Sequence, residues 1–188
     1  MTETPLSDQD IEAVTRTWLK TIIVEYSICP FAKRELERGS IFFNVNHDTQ
    51  IDQCLLKLIL ECDRLDSDSD IETTLLIFAK AFRDFEDYLD FIEIAETLLI
   101  EQGYEGIYQL ASFHPDYCFQ DAKKDDAANY TNRSPYPMVH LLRETSIDKA
   151  LESHPNPENI PQHNIELTRK LGLVKMQTLL AACHHPNR

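Results

Sequence analysis

Apolar residues near the start of the chain recur in steps of three and four. Ile11, Val14, Trp18 and Ile22 fall on one helical face, which predicts a helix running to about residue 28. Ser7 stands as its N-cap with Asp10 in the capping-box position, and Leu6 and Ile11 are spaced as a hydrophobic staple. Cys29-Pro30 interrupts the pattern. Proline suits the first position of a helix and glycine its end, so 30–38 before Gly39 reads as a short second helix with Cys29 at its N-terminus.

Further along, the period alternates between strand and helix. Residues 41–45 read as a strand, followed by a helix capped at Asp48 with Ile51, Leu55, Leu58, Cys62 and Leu65 on its apolar face. The acidic run 66–70 is a solvated connection. Residues 73–79 are apolar without alternation, as in a strand covered on both faces. Asp84 caps a helix through Phe85, Leu89, Ile92, Ala95 and Leu99 that stops at Gly103, and 106–113 forms a third strand. A fourth strand is expected at 137–142, a short helix capped by Ser146 after it, and a last helix over 164–183 beyond the proline-rich 154–161. Helical crossovers between consecutive strands imply parallel pairing. The expected fold is therefore α/β: a single domain over 1–188 with a mostly parallel four-stranded sheet and flanking helices. The alternative is a two-layer α+β, ferredoxin-like arrangement.

The segment 114–136 has neither period. Loops of that length in compact domains are functional or disordered, and the aromatic residues Tyr117, Phe119, Tyr130 and Tyr136 argue for anchoring at its ends, leaving the middle, 121–128, as the part free to move.

Composition narrows the partners. The 188 residues carry 32 acids against 18 Lys and Arg, a net charge of −14 that repels nucleic acid and anionic membranes alike. The first ten residues lack a basic, apolar leader, and no apolar run reaches the roughly 20 residues needed to span a bilayer. Five cysteines without a CxxC pair fit a reducing compartment, so the expected location is the cytoplasm. With four glycines and no phosphate loop, nucleotide cofactors are not indicated, and the identity of any cofactor stays open, as does the oligomeric state.

Three constellations carry candidate chemistry. Cys29 at a helix N-terminus, with Lys33 and Arg34 a turn on, has the setting of a low-pKa thiol, whereas the plainer reading is that Cys-Pro-Phe packs a corner. Ser112, His114 and Asp116 stand at the carboxyl end of the third strand, where open α/β sheets bind ligands. There His114 is a candidate general acid or base oriented by Asp116, a metal ligand together with Asp116 and His140, or only a bonded turn residue. The spacing matches no established metal motif, so no metal is assigned. Finally, Asn129, Asn132, Arg133 and Ser134 precede the stiff Pro135-Tyr136-Pro137. His140 and Arg143 lie on the strand after them. Arg133 is equipped either to clamp a carboxylate or phosphate or to pin the loop through an acid such as Asp125 or Asp126.

The blocks Cys29-Pro30-Phe31-Ala32-Lys33, Ser112-Phe113-His114-Pro115 and Asn129-Tyr130-Thr131-Asn132-Arg133-Ser134-Pro135-Tyr136-Pro137, followed by His140-Leu141-Leu142-Arg143-Glu144, resemble the bacterial domain-of-unknown-function family 1415. The resemblance covers nearly the whole chain and implies no established activity. Cys118 departs from the polar residue expected there. The leading expectation is an enzyme acting on a small anionic metabolite, with His114 as acid or base, Arg133 as clamp and Cys29 as a thiol participant. The alternatives are a non-catalytic binding or regulatory module and a metal-dependent enzyme using His114, Asp116 and His140.

Overall fold

The structure, a computed structural model, describes residues 6–152 and 154–185. The first helix, α1 (Asp8–Trp18), starts as the sequence predicts: Ser7 Oγ accepts from the Asp10 N–H and the Asp10 carboxylate accepts from the Ser7 N–H. It continues as a wider π-helical segment, Leu19–Val24, which its residue pattern does not distinguish from an α-helix. Ser27 then takes a left-handed conformation (φ 53°) and turns the chain into Ile28 and Cys29. The short helix α2 (Ala32–Arg38) closes at Gly39, which supplies the left-handed φ of 70° that a β-carbon would strain.

Strands β1 (Ile41–Asn46), β2 (Thr73–Phe78), β3 (Tyr108–Phe113) and β4 (Met138–Arg143) form one sheet in the order β1-β2-β4-β3. Helices α3 (Ile51–Ser67) and α4 (Phe85–Glu101) connect the first three strands, which run in one direction. The expectation of a mostly parallel sheet is corrected here: β1 and β2 pair in parallel, but β4 enters antiparallel between β2 and β3. The long excursion after β3 brings the chain back to fill the central gap, and the buried Met138, Val139 and Leu141 mark β4 as an interior strand. The resulting mixed sheet is compatible with an α+β class. It differs from the ferredoxin-like form, in which all neighbours are antiparallel, and helices cover both of its faces rather than one.

On one face Leu75, Ile77 and Met138 pack against Ile11, Trp18 and Ile22 and against α7 (Leu173–Cys183), through Met176. On the other, Leu76, Phe78, Val139 and Leu141 meet Leu58 and Leu65 of α3 and Tyr88 and Phe91 of α4. All six residues of β2 are buried, as a run without alternation requires. Three local expectations change. Gln50, not Asp48, precedes α3, and the Asp48 N–H is bonded to the Asn46 side chain. Ser146 lies inside α5 (Glu144–Glu152), which follows β4 directly. The expected last helix is two, α6 (Ile160–Leu171) and α7, broken where Gly172 adopts φ 85° and ψ 154°. Among the described residues, no helix is long and apolar enough to cross a membrane.

Candidate functional site

The three like-directed strands end on one edge of the sheet, and β4 begins there, with Met138 opposite both Ile77 and Phe113. Residues 114–136 leave and rejoin the sheet at this edge. They are more ordered than their lack of period suggests: a 3-10 helix, Ala127–Thr131, is buried along its length. The loop is fastened at both ends, by the His114 N–H to the Asn132 carbonyl (3.2 Å) and the Ser134 N–H to the His114 carbonyl (3.4 Å). Within it, Asn129 is fully buried. Its Nδ2 donates to the Lys123 carbonyl at 2.8 Å and its Oδ1 accepts from the Phe119 N–H at 3.1 Å.

His114 is fully buried on the α4 side, in ring contact with Phe85 and Tyr88. The Asp116 N–H donates to Nδ1 at 3.0 Å, so the proton sits on Nε2, which donates to the Phe82 carbonyl at 2.9 Å. Burial lowers its pKa, only partly opposed by the Phe82 hydrogen bond and by Asp116 and Asp84. With both nitrogens engaged by backbone, the imidazole is a fixed neutral crosslink. It holds Phe82 in a left-handed conformation (φ 55°), within the cluster made by Phe78 and Phe91. Asp116 contributes its N–H rather than its exposed carboxylate. His140 lies on the opposite face of the sheet, where its Nε2 meets the Thr73 hydroxyl at 2.7 Å. Since Thr73 donates its proton to the Leu141 carbonyl at 2.6 Å, His140 is the donor in this pair. His114 and His140 therefore do not converge, and no group of three or more potential ligands is placed to hold a metal among the described residues.

Arg133 directs its fork into its own loop: Nε donates to the Tyr117 carbonyl at 3.0 Å, Nη2 to the Lys124 carbonyl at 2.9 Å, and the guanidinium lies 4.8 Å from the centre of the Tyr130 ring. Of the acids expected to pin it, Asp125 and Asp126, the second is committed elsewhere. Asp126 forms a two-pronged pair with Arg169 of α6 (3.1 and 2.7 Å), whose hydrogen bond holds the Asp126 carboxyl below its ordinary pKa. Of the remaining candidates, Ser134 is buried and donates to the Tyr136 carbonyl at 2.6 Å, and Ser112 offers its carbonyl to Asn132 Nδ2 at 3.1 Å. Arg143 sits at the far end of the sheet, bonded to Tyr108 and to the Leu65 and Ile71 carbonyls. Arg133→Lys is accordingly expected to cost about 1–2 kcal/mol of stability by losing two directed bonds and the ring contact. Thermal unfolding in the presence and absence of phosphate and citrate checks this. Anion-dependent stabilisation of the wild type that disappears in the variant would restore the clamp.

Two of the sequence candidates do meet. Cys29 and Asn132 line a pocket of about 400 Å³ whose other walls include Ile23, Phe113, Phe119 and Asn164. The left-handed turn at Ser27 precedes the Ile28 carbonyl that accepts from Asn164 Nδ2 (2.8 Å), fixing α6 as a wall of the pocket, and the Arg169–Asp126 pair ties the same helix to the loop. The Cys29 thiol departs from the low-pKa expectation. Burial raises it, outweighing hydrogen bonds from the Phe31 and Ala32 backbone. Sequence reasoning missed Asn164 by taking it as a helix start. Ile160, Asn164 and Thr168 step by four, but that this face points inward shows only in their burial.

Residues 10–178 match the family described as protein of unknown function DUF1415, and the chain belongs to that family. No curated protein and no solved structure matches it.

Proposed function

We propose that the chain is a one-domain, cytoplasmic, non-catalytic binding or regulatory module, and that its site is the pocket between Cys29, Phe113, the 114–136 loop and α6. The observation that carries this reading is the meeting of Cys29 and Asn132, from segments far apart in sequence, in one largely apolar concavity. Its volume, about 400 Å³, lies in the range of small-molecule sites. Acid–base catalysis by His114 loses support because both ring nitrogens are bonded to backbone, and clamping of an anionic metabolite loses support because the Arg133 fork is occupied by carbonyls. Five free thiols suit a reducing compartment.

The test uses Cys29 as a reporter of occupancy. Cys54 and Cys62 have no exposed surface, and their thiol pKa values are pushed up to about 11 and 12, first by burial and then by nearby acids. Cys29 is partly exposed and is expected to alkylate ahead of Cys54 and Cys62 with iodoacetamide, read site by site because Cys118 is partly exposed as well. A screen of neutral fragments should find compounds that raise the melting temperature and slow Cys29 alkylation. Both effects should be lost in Ile165→Trp, which fills the pocket from α6. Stabilisation that is indifferent to this substitution places binding elsewhere and ends the proposal.

A further inference from the structure

We infer that the groove between α3 and α4 docks a basic, amphipathic α-helix of a partner protein. The groove lies on the opposite side of the sheet from the Cys29 pocket, so the inference does not rest on the pocket reading. It has a volume of about 250 Å³ and is lined by Leu55 of α3 and by Glu93, Ile94, Thr97, Leu98 and Glu101 of α4. Leu55, Ile94 and Leu98 give it apolar walls, and Ile94 is 44% exposed. Of the ten large apolar side chains exposed among the described residues, six belong to these two helices, so the uncovered apolar surface is concentrated here rather than scattered. A trough between neighbouring helices has the shape that accepts a third, whose apolar residues at i, i+3, i+4 and i+7 enter it as anchors.

The charge around the groove selects the partner. Helix α4 carries six acids, Glu86, Asp87, Asp90, Glu93, Glu96 and Glu101, and neither Lys nor Arg. None of these acids forms an ion pair among the described residues. Steps of three and four put Asp87, Asp90, Ile94, Leu98 and Glu101 on one stripe of α4. On α3 the stripe Asp52, Leu55, Ile59 and Asp63 is turned towards it, since the hydroxyl of Tyr104, just beyond α4, donates to Asp63 at 3.2 Å. The bases of α3 are on its other flank. Arg64 pairs with Glu61 and lies 4.2 Å from the centre of the Phe42 ring of β1, and Lys57 steps by four and three onto the same side. Neither stripe holds a base, so the trough is bounded by carboxylates. Helix α4 also carries its charge at a disadvantage: Glu86 and Asp90, Asp90 and Glu93, and Glu93 and Glu96 are like-charged neighbours, and Glu101 stands at the C-terminal end, where the helix dipole disfavours an anion. A partner rich in Lys or Arg relieves both. A second copy of this chain would set acid against acid, and nucleic acid or anionic lipid would be repelled in the same way.

The probe is a synthetic leucine–lysine peptide of about five helical turns, patterned so that leucine forms one face. Its controls are the same residues scrambled to remove the helical period, and the same pattern with glutamate in place of lysine. Each is titrated into the ¹⁵N-labelled full-length chain at about 0.15 M salt, where exposed charges farther apart than roughly 8 Å are screened. The patterned cationic peptide is expected to bind about tenfold tighter than the scrambled one, with backbone shifts centred on Leu55, Ile94 and Leu98, and the glutamate peptide not at all. Glu93→Lys combined with Glu101→Lys, and separately Ile94→Ser, all at exposed positions, should each weaken that binding about tenfold. Equal binding of the patterned and scrambled peptides, or loss on charge reversal but not in Ile94→Ser, would reduce the effect to non-specific attraction to an acidic surface and overturn the inference. Shifts centred on another face, or no binding at millimolar peptide, would overturn it as well. Self-association in sedimentation that Ile94→Ser abolishes would make this face a contact between copies and rule out the basic partner.

Discussion

Replacing His114 by leucine is expected to lower the unfolding free energy by about 3–5 kcal/mol, a severe loss for a change that nearly conserves volume. The imidazole bonds two backbone groups that have no other partner in the hydrogen bonds described: Nε2–H serves the Phe82 carbonyl and Nδ1 receives the Asp116 N–H. Leucine meets neither, and a buried unmet polar group costs about 1–3 kcal/mol. The Phe82 backbone, left-handed at φ 55°, also loses the bond that holds it. Glutamine offers one donor and one acceptor on a flexible stem, so His114→Gln should recover part of the loss. Urea denaturation gives the comparison directly, with the midpoint expected to fall while the slope is kept. A leucine variant within 1 kcal/mol of wild type would mean that the imidazole is not a crosslink, and would reopen its candidacy for proton transfer.

What the sequence displayed was whatever depends on neighbours along the chain. The Ser7 capping box, the Asp84 cap, the Gly39 stop and the unbroken apolar run of β2 are local features, and the structure has each of them. The direction of β4 is not local. Its residues alternate no differently in a parallel or an antiparallel pair, and its direction follows from the 114–136 segment returning the chain to the sheet at the end where β3 leaves it. The same divide separates the site residues. The Asn-Arg-Ser-Pro-Tyr-Pro block stood out by composition, yet what its polar atoms bond to was set by tertiary contacts: Trp18 Nε1 on the Arg133 carbonyl at 2.9 Å, and the Arg133 fork on carbonyls of its own loop. An arginine in an acidic chain invites an ion-pair or anion reading. A long loop, however, has many carbonyls that lack regular partners, and a planar donor is as well suited to them. Asn164 went unnoticed for the opposite reason. A single polar residue on an amphipathic helix carries meaning only when its burial is known.

Acidification is expected to remove about 3 kcal/mol of stability through His140 alone between pH 6.5 and 4. Burial pushes its pKa down from the ordinary 6.5 to about 4, because the neutral ring beneath the α1 side of the sheet donates to Thr73 and has no carboxylate to stabilise its cation. The sign follows from proton binding. Below pH 6.5 the unfolded chain takes up a proton that the native ring refuses, so stability is fully present above 6.5 and is lost as the pH falls towards 4, where the native ring protonates too. His114, also lowered chiefly by burial, adds in the same direction. The net charge of −14 acts oppositely, since approaching the isoelectric point near 4.8 relieves self-repulsion. That relief is common to wild type and variant, so the difference between them isolates the histidine. His140→Gln keeps a donor for the Thr73 hydroxyl and cannot titrate. Its stability should decline less steeply than that of wild type across this window, with the two curves parallel above pH 7. Carboxylates such as Asp10 and Asp126, whose pKa values are lowered below 3.8 by hydrogen bonds, begin to lose their contribution at about pH 5, but they do so alike in wild type and variant and cancel in the difference. Chemical denaturation at half-unit steps from pH 7.5 to 4 measures it. Curves that run parallel throughout would mean that the imidazole protonates freely in the folded protein, and that His140 is not the neutral donor to Thr73 inferred from its bonding.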